Sequence, residues 1–366
     1  MLLKNVWYVA AHADEIPVAG MLGRTIAGAR IVFAREADGT VFALKDECPH
    51  RRAPLSMGEM LEGKIVRCPY HGLTFDGDGR CVQVPGQAQW PPDWRIRTYP
   101  VIEKGRWIFV WTGDPARCGD QSSIPSFLDY GEPPYETRNG LISFAADYRL
   151  LVDNLLDATH AEFVHRTSLG SSDWQIARET GTEPQKQSSE FDVDLRDDGI
   201  GFTFRLSNAY GGPCFGRAYA MRLGVDSYDQ GLDIRLDVSW HPPGLFLYVQ
   251  TVSETDAGEE GALQLINLHM LTPETDCTTH YLYRAAALNT NNNPAIIDFW
   301  RDIDVLAFNE DKRIIEAQQK VIGERDLFAD QLWTIQGDQM SIRGRRILSA
   351  LAAEQTEESS IPAVVE

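Results

Sequence analysis

The chain has 366 residues, of which 43% are apolar, 24% charged and 10% aromatic; 53 acidic against 34 basic side chains give a formal net charge of −19. Such a composition suits a globular protein of about two domains with a sizeable core and excludes overall disorder. So acidic a surface repels phosphate, which argues against nucleic acid or an anionic membrane as partner. No apolar run approaches the ~18 residues that span a bilayer. Met1–Tyr8 lacks the basic-then-apolar order of a secretory leader, so a cytoplasmic location is expected.

Residues 1 to 118 read as an all-β domain. Short runs rich in Val, Ile, Phe, Trp and Tyr (Thr40–Leu44, Lys64–Arg67, Leu73–Phe75, Arg95–Val101, Trp107–Thr112) alternate with turns such as Ala37-Asp38-Gly39 and Gly77-Asp78-Gly79. Asp114–Pro134 reads as a connector. A second domain, 119 to 366, opens helically at Tyr148–His165. β-like runs follow at Ile200–Leu206, Arg217–Leu223, Leu232–Trp240, Leu245–Val252, Leu263–Leu271 and His280–Ala286. A long helix then runs from Pro294 to about Val321 with Gly323 as its cap. Glu354–Glu366 is polar and expected to fray. The fold class is therefore α+β: an all-β domain, then a helix-flanked antiparallel sheet.

The six cysteines are too sparse for a disulfide framework, but Cys48 and Cys68 stand beside histidines. The pattern is Cys48-Pro49-His50, 17 intervening residues, then Cys68-Pro69-Tyr70-His71. Cys₂His₂ is also a zinc set, but zinc knuckles usually pair like with like. A mixed pair on each loop fits one ligand from each loop to each of two irons. Cys48 and Cys68 would hold one iron and His50 and His71 the other, which is the Rieske [2Fe-2S] arrangement. Arg51, Arg52, Arg67 and Arg80 flank these loops, as ordinary surface charge or as a docking patch for an acidic electron donor.

A second constellation lies in Asp153-Asn154-Leu155-Leu156-Asp157-Ala158-Thr159-His160, followed by His165. Asn154, Asp157 and His160 share one helix face. His165 would point about 140° from His160 in a regular helix, so both reach one metal only if the helix widens or breaks; Ser168–Ser172 suggests an end soon after. A 2-His-1-carboxylate site for non-heme Fe(II) needs one carboxylate more. On the long helix the apolar stripe Ile296, Trp300, Ile303, Ala307, Ile314 contains Asp311, whose burial a metal would relieve. Asp304 remains a competitor, and Glu310 lies at the stripe's edge.

Taken together, these residues resemble the oxygenase (alpha) component of the Rieske non-heme iron oxygenases, in the branch of the vanillate O-demethylases and dicamba monooxygenase. The resemblance rests on Asn5-Val6-Trp7-Tyr8-Val9-Ala10, Asp46-Glu47-Cys48-Pro49-His50-Arg51, Tyr70-His71-Gly72-Leu73, Asp147-Tyr148-Arg149-Leu150, Asn154-Leu155-Leu156-Asp157 and Asn309-Glu310-Asp311-Lys312. It favours Asp311 as the third iron ligand beside His160 and His165. It implies that NAD(P)H electrons arrive through a separate flavin reductase, with or without a ferredoxin, and pass from cluster to mononuclear Fe(II), where O₂ is the co-substrate. It also implies a C₃ homotrimer in which Asp157, bonded to His160 and to a neighbour's His71, bridges the two centres. Asn154 would lie near the iron, as a ligand or behind one. The implied reaction is oxidative O- or N-dealkylation of an aromatic compound. A cis-diol-forming dioxygenase and a Rieske electron-transfer protein are the alternatives. The scattered arginines and missing lysines of 200–291 favour a neutral substrate, with His241, Tyr248, Asn267, His269 and Trp300 as pocket candidates by composition.

Overall fold

The computed structural model describes residues 2–119, 122, 124–126, 130, 133–157, 159–165, 168–169, 188–196, 199–327 and 332–359. It separates into two compact units. The first comprises Met1–Ser126, Thr272–Asp276 and Gln355–Glu366, and the second Phe127–Leu271 and Cys277–Glu354. No helix among the described residues is long and apolar enough to cross a membrane.

The first unit is all β. One sheet orders Trp7–His12, Trp107–Trp111 and Val101–Lys104. A second orders Met21–Ile26, Ala29–Arg35, Val41–Lys45 and Thr98–Tyr99. The predicted run Arg95–Val101 is thus split between two sheets. Pro100 stands at the break, where its missing N–H cannot serve a ladder. A third sheet, Glu59–Leu61, Ile65–Arg67, Thr74–Phe75 and Cys81–Gln83, carries the Cys68–His71 loop, and the Cys48–His50 loop lies on the chain that joins the second sheet to it. Cys48 and Cys68 are buried in one apolar cluster with Leu55, Val66, Leu73 and Phe75.

The second unit is built on a seven-stranded antiparallel sheet. Its spatial order is Glu136–Phe144, Thr278–Leu288, Leu263–Thr275, Leu245–Glu254, Leu232–His241, Ile200–Ala209 and Ser188–Leu195. The helices of this unit used below are α1 (Tyr148–Leu155), α2 (Ala161–Val164), α3 (Arg217–Leu223), α4 (Ala295–Ile322) and α5 (Gln339–Ser359). The long helix ends as expected, with Gly323 at φ 63°.

Two expectations are corrected. Arg217–Leu223, read as β-like, is helical. Gly216 precedes it, Gly224 ends it in the left-handed region at φ 71°, and the good helix formers Ala218 and Ala220 are buried. The tail read as frayed from Glu354 instead continues α5 to Ser359, a helix anchored by buried Met340, Ile347 and Leu348. Its polar outer face hid the periodicity. The edge strands Glu136–Phe144 and Ser188–Leu195 were not foreseen. Cys118–Ser123 in the expected connector, the end of the Ser168–Ser172 run and residues 360–366 lie partly or wholly outside the described residues.

On α4 the buried face comprises Ile296, Ile297, Trp300, Asp304, Phe308, Asp311 and Ile315, while Ile314 is exposed. The stripe is therefore rotated by about 60° from the predicted one. Both Asp304 and Asp311 lie inside it.

Candidate metal centres

The two Cys/His loops are backbone copies of one another. In the first, Cys48 N–H donates to Ala53 O at 2.9 Å and Arg52 N–H to Cys48 O at 2.8 Å. In the second, Cys68 N–H donates to Leu73 O at 2.8 Å and Gly72 N–H to Cys68 O at 3.1 Å. The fifth residue of each loop is left-handed, Arg52 at φ 59° and Gly72 at φ 70°. Loop one uses an arginine where loop two has the residue best suited to that region. Gly58 permits the approach of the third sheet, since a Cβ there would lie 2.0 Å from Arg67 O.

These loops bury both thiols and leave both imidazoles exposed at the tip, their rings 4.5 Å apart and inclined at 63°. Burial, reinforced by the adjacent Cys68 thiol, pushes Cys48 up to about 11. Desolvation and the neighbouring His50 and Arg51 lower His71, keeping its lone pair free. Two buried thiols side by side cannot both ionise without compensating positive charge. Two thiols behind two neutral imidazoles suit a sulfide-bridged iron pair. Tyr70, 59% exposed, stacks beside His71 with ring centroids 4.0 Å apart.

In the second unit α1 stops at Leu155, and the chain turns before the four-residue α2. His160 and His165 flank this short helix as its N-cap and C-cap. The break supplies the reorientation that a continuous helix denies them. His160 Nε2 and His165 Nε2 are 3.3 Å apart, and each lies 3.5 Å from Asp311 Oδ1. Donor atoms about 2.1 Å from a common ion are about 3.0–3.4 Å apart at angles of 90–109°, so the cage is close to metal size.

One rear nitrogen is hydrogen-bonded, and the other faces a carboxylate at ion-pair distance. His165 Nδ1 is 3.0 Å from Glu310 Oε2, which also accepts the Ser168 hydroxyl at 2.5 Å. His160 Nδ1 lies 3.5 Å from Asp157 Oδ2. Asp157 is pinned by accepting the Thr159 N–H and Oγ–H, both at 2.7 Å. With protons directed to these carboxylates, both Nε2 lone pairs and the Asp311 carboxylate converge on one point. Three acceptors facing one another at this spacing make a donor set that suits a cation. Asn154 Nδ2 donates to Asp311 Oδ1 at 3.1 Å and is 3.2 Å from His160 Nε2.

The electrostatics agree. Burial raises Asp311, opposed by His165 and His160. Burial would lower His160, but Asp157 and Asp311 outweigh it and raise it. Burial likewise opposes ionisation of Asp157, yet its bonds to His160 and Thr159 hold it below the ordinary carboxylate value.

Glu310, weighed above as a ligand, instead orients His165. Asp304 is buried against Asn267, apart from the histidines. Among the composition-based pocket candidates, Trp300 is core, the Tyr248 hydroxyl bonds Leu155 O, and His269 bonds the Tyr281 hydroxyl at 2.7 Å through Nδ1. Glu310's position, one residue before Asp311, was the only trace of its orienting role. A cavity of about 1090 Å³ opens beside the triad, lined in part by Asn154, Asp157, His160, Asp311, Leu332 and Trp333.

Comparison with known proteins matches the two units separately. Residues 6–100 match the Rieske [2Fe-2S] domain, which sets the zinc alternative aside, and residues 144–354 match the vanillate O-demethylase oxygenase C-terminal domain. The chain is 34% identical to the iron-sulfur subunit of the toluene-4-sulfonate monooxygenase system of Comamonas testosteroni, over 88% of this chain and 90% of that one. It is 34% identical to the vanillate O-demethylase oxygenase subunit of a Pseudomonas species, over 97% and 96%. The crystal structure of dicamba monooxygenase bound to 3,6-dichlorosalicylic acid superposes with a TM-score of 0.82 at 30% identity, covering 96% of this chain and 98% of that one. The chain therefore belongs to the vanillate O-demethylase family of Rieske non-heme iron oxygenases, as an oxygenase component.

Proposed function

We propose that this chain is the terminal oxygenase of a multi-component monooxygenase that dealkylates an aromatic compound at oxygen or nitrogen, such as a methoxybenzoate or an N-alkyl anilide. The convergence of His160, His165 and Asp311 on one cation-sized space, in a chain that also carries the two Cys/His loops, is the observation that carries this reading. An electron carrier would need the loops alone. In this reading residues 1–118 form the Rieske domain and 119–366 the catalytic domain.

Cys48, Cys68, His50 and His71 would hold the [2Fe-2S] cluster, and His160, His165 and Asp311 the mononuclear iron. When bound, these groups supply single electrons and O₂ activation for oxidation of the alkyl carbon next to oxygen or nitrogen; the hydroxylated carbon then leaves as an aldehyde. The chain's own residues do the positioning. Glu310 and Ser168 fix the His165 tautomer, Asp157 faces His160 Nδ1 at 3.5 Å and favours a proton there, and Asn154 restrains the Asp311 carboxylate.

His50 and His71 stand exposed at the tip of one unit, and Asp157 lines the cavity of the other. This supports a cyclic homotrimer in which each tip meets a neighbour's Asp157, so that Asp157 joins the two centres. Exposed Arg51 and Arg52 offer an acidic ferredoxin or flavin reductase a docking patch, the reductase drawing on NAD(P)H. A cytoplasmic, membrane-free setting completes the proposal.

The test is aldehyde release from methoxy-arenes and N-alkyl anilides by the reconstituted protein with a surrogate reductase. Formaldehyde or acetaldehyde in step with reductant use is expected. A cis-diol product, or a zinc-containing colourless protein, refutes it.

A further inference from the structure

Charge is divided unevenly along this chain. Residues 1–118 carry 15 basic and 13 acidic side chains, and residues 119–366 carry 19 and 40. The first part is therefore near neutral and the second strongly acidic, so an acidic electron donor is repelled by the second and received more readily by the first. Exposed Arg51 and Arg52 of the first unit stand beside His50 and His71, at the tip that a neighbour covers in the ring proposed above. The assembled ring needs another cationic entrance for its donor.

The first unit has a recess of about 510 Å³ that fits this need. Its charged lining is Lys4, Arg95 and Arg97, against Asp78 and Asp114. Asp114 is engaged at the start of a short helical turn, where it accepts the Ala116 N–H at 3.0 Å. Arg97 is fixed in the wall. Its Nη2 donates to Thr112 O at 2.9 Å and Gly113 O at 2.7 Å, and its guanidinium lies over the Tyr99 ring, 4.7 Å from the centroid. Lys4 and Arg95 are exposed, and among the described residues neither has a carboxylate at ion-pair distance. Trp94, the residue before Arg95, is 43% exposed. Exposed tryptophan next to arginine is the composition of protein-binding surfaces rather than of solvated ones.

The floor of the recess leads to the Cys/His loops. Ile96 lines the recess and also packs in the apolar core that buries Cys48 and Cys68. Arg95 forms a β-bridge with Arg80, the residue before Cys81, and Cys81 belongs to the same core. Lys45 N–H donates to Arg97 O at 2.8 Å, three residues before Cys48. A protein seated in the recess thus rests on the core that holds both thiols.

We propose that this recess, with Lys4 and Arg95 as its free charges, is the docking site for the acidic face of the electron-donor protein. There the reduced donor loses one electron and the oxidised [2Fe-2S] pair gains it, with no bond made or broken and no proton moved. The inference rests on the oxygenase reading and adds to it the seat of the donor, separate from the tip.

The experiment uses the cluster-loaded full chain with an acidic plant-type [2Fe-2S] ferredoxin as probe, whose lower potential favours transfer to a Rieske pair. Two quantities are read: calorimetric binding of oxidised ferredoxin to oxidised protein, and the stopped-flow rate at which reduced ferredoxin reduces the protein. The proteins are the parent, Lys4→Glu, Arg95→Glu and Arg51→Glu/Arg52→Glu, each at about 20 mM and about 0.5 M salt. Each recess variant is expected to weaken binding and slow reduction at least about fivefold at low salt, and the gap to close at high salt. Reduction by dithionite, which needs no docking surface, should stay within about twofold of the parent. Two separate positions keep the test decisive if one variant does not fold. Parent binding that is no tighter at low salt than at high, unchanged rates in a folded recess variant, or a loss at least as large in the tip variant overturns the inference. Neither quantity involves the mononuclear site or a substrate. Failure here therefore leaves the dealkylase reading standing, and absence of aldehyde leaves the docking site standing.

Discussion

Replacing Arg345 with methionine removes the charge that compensates Asp153, the residue that leads into Asn154. Arg345 Nε lies 3.1 and 2.9 Å from the two Asp153 oxygens, and Nη2 lies 2.6 Å from Oδ2. The side chains are 15% (Asp153) and 31% (Arg345) exposed. Even with the arginine present, burial pushes Asp153 up from 3.8 to about 6. A carboxyl raised in the folded state favours folding below its unfolded pKa and loses that advantage as pH rises through the folded one. Asp153 thus costs the parent about 3 kcal/mol above pH ~6 relative to pH below ~4. Without Arg345 the folded pKa climbs further. Leaving such a carboxylate without its hydrogen-bonded cation, with only the more distant charge of Arg149 to oppose burial, costs about 3–5 kcal/mol at pH 8, a fall of about 10 °C in Tm by differential scanning calorimetry. At pH 5 the carboxyl is protonated in the fold, and the loss shrinks to that of the hydrogen bonds, about 1–2 kcal/mol. Arg345→Met combined with Asp153→Asn should recover most of the pH 8 loss. Equal Tm losses at pH 5 and pH 8, or a double variant no more stable than the single one, would refute the reasoning.

Other expectations follow from the two centres. His160→Ala should lower bound iron from about three to about two per chain, with acid-labile sulfide and visible colour retained; a full complement of iron would contradict the triad. Cys68→Ser should abolish the brown chromophore and leave ferrous binding by the second unit measurable. Asp157→Asn should retain both metals but slow oxidation of the reduced cluster at least about tenfold in single turnover, and an unaltered rate would remove Asp157 from the path. Gly58→Ala should lower cluster occupancy, because its Cβ would meet Arg67 O at 2.0 Å; full occupancy would show that the strand can yield.

The amino acids alone determined the chemistry. Cys48-Pro49-His50 and Cys68-Pro69-Tyr70-His71 could be read because each loop is local, and ligand types spaced by one or two residues constrain the metal wherever the loop lies. The long helix, its glycine cap and most strands of the large sheet were legible for the same reason: their periodicity is carried by neighbours in sequence. The departures were tertiary. Arg217–Leu223 is too short for its period to separate helix from strand, and its flanking glycines decided it. The face that α4 buries turned by about 60° because the sheet opposite, not the helix, chooses which residues it covers. Asp304 and Asp311 were indistinguishable by helical angle. Only folding put two imidazoles against one and a carboxamide against the other. Glu310 behind His165, and Gln250 behind Asn267, are partners 145 and 17 residues apart in sequence, and no local pattern records a contact that chain folding alone creates.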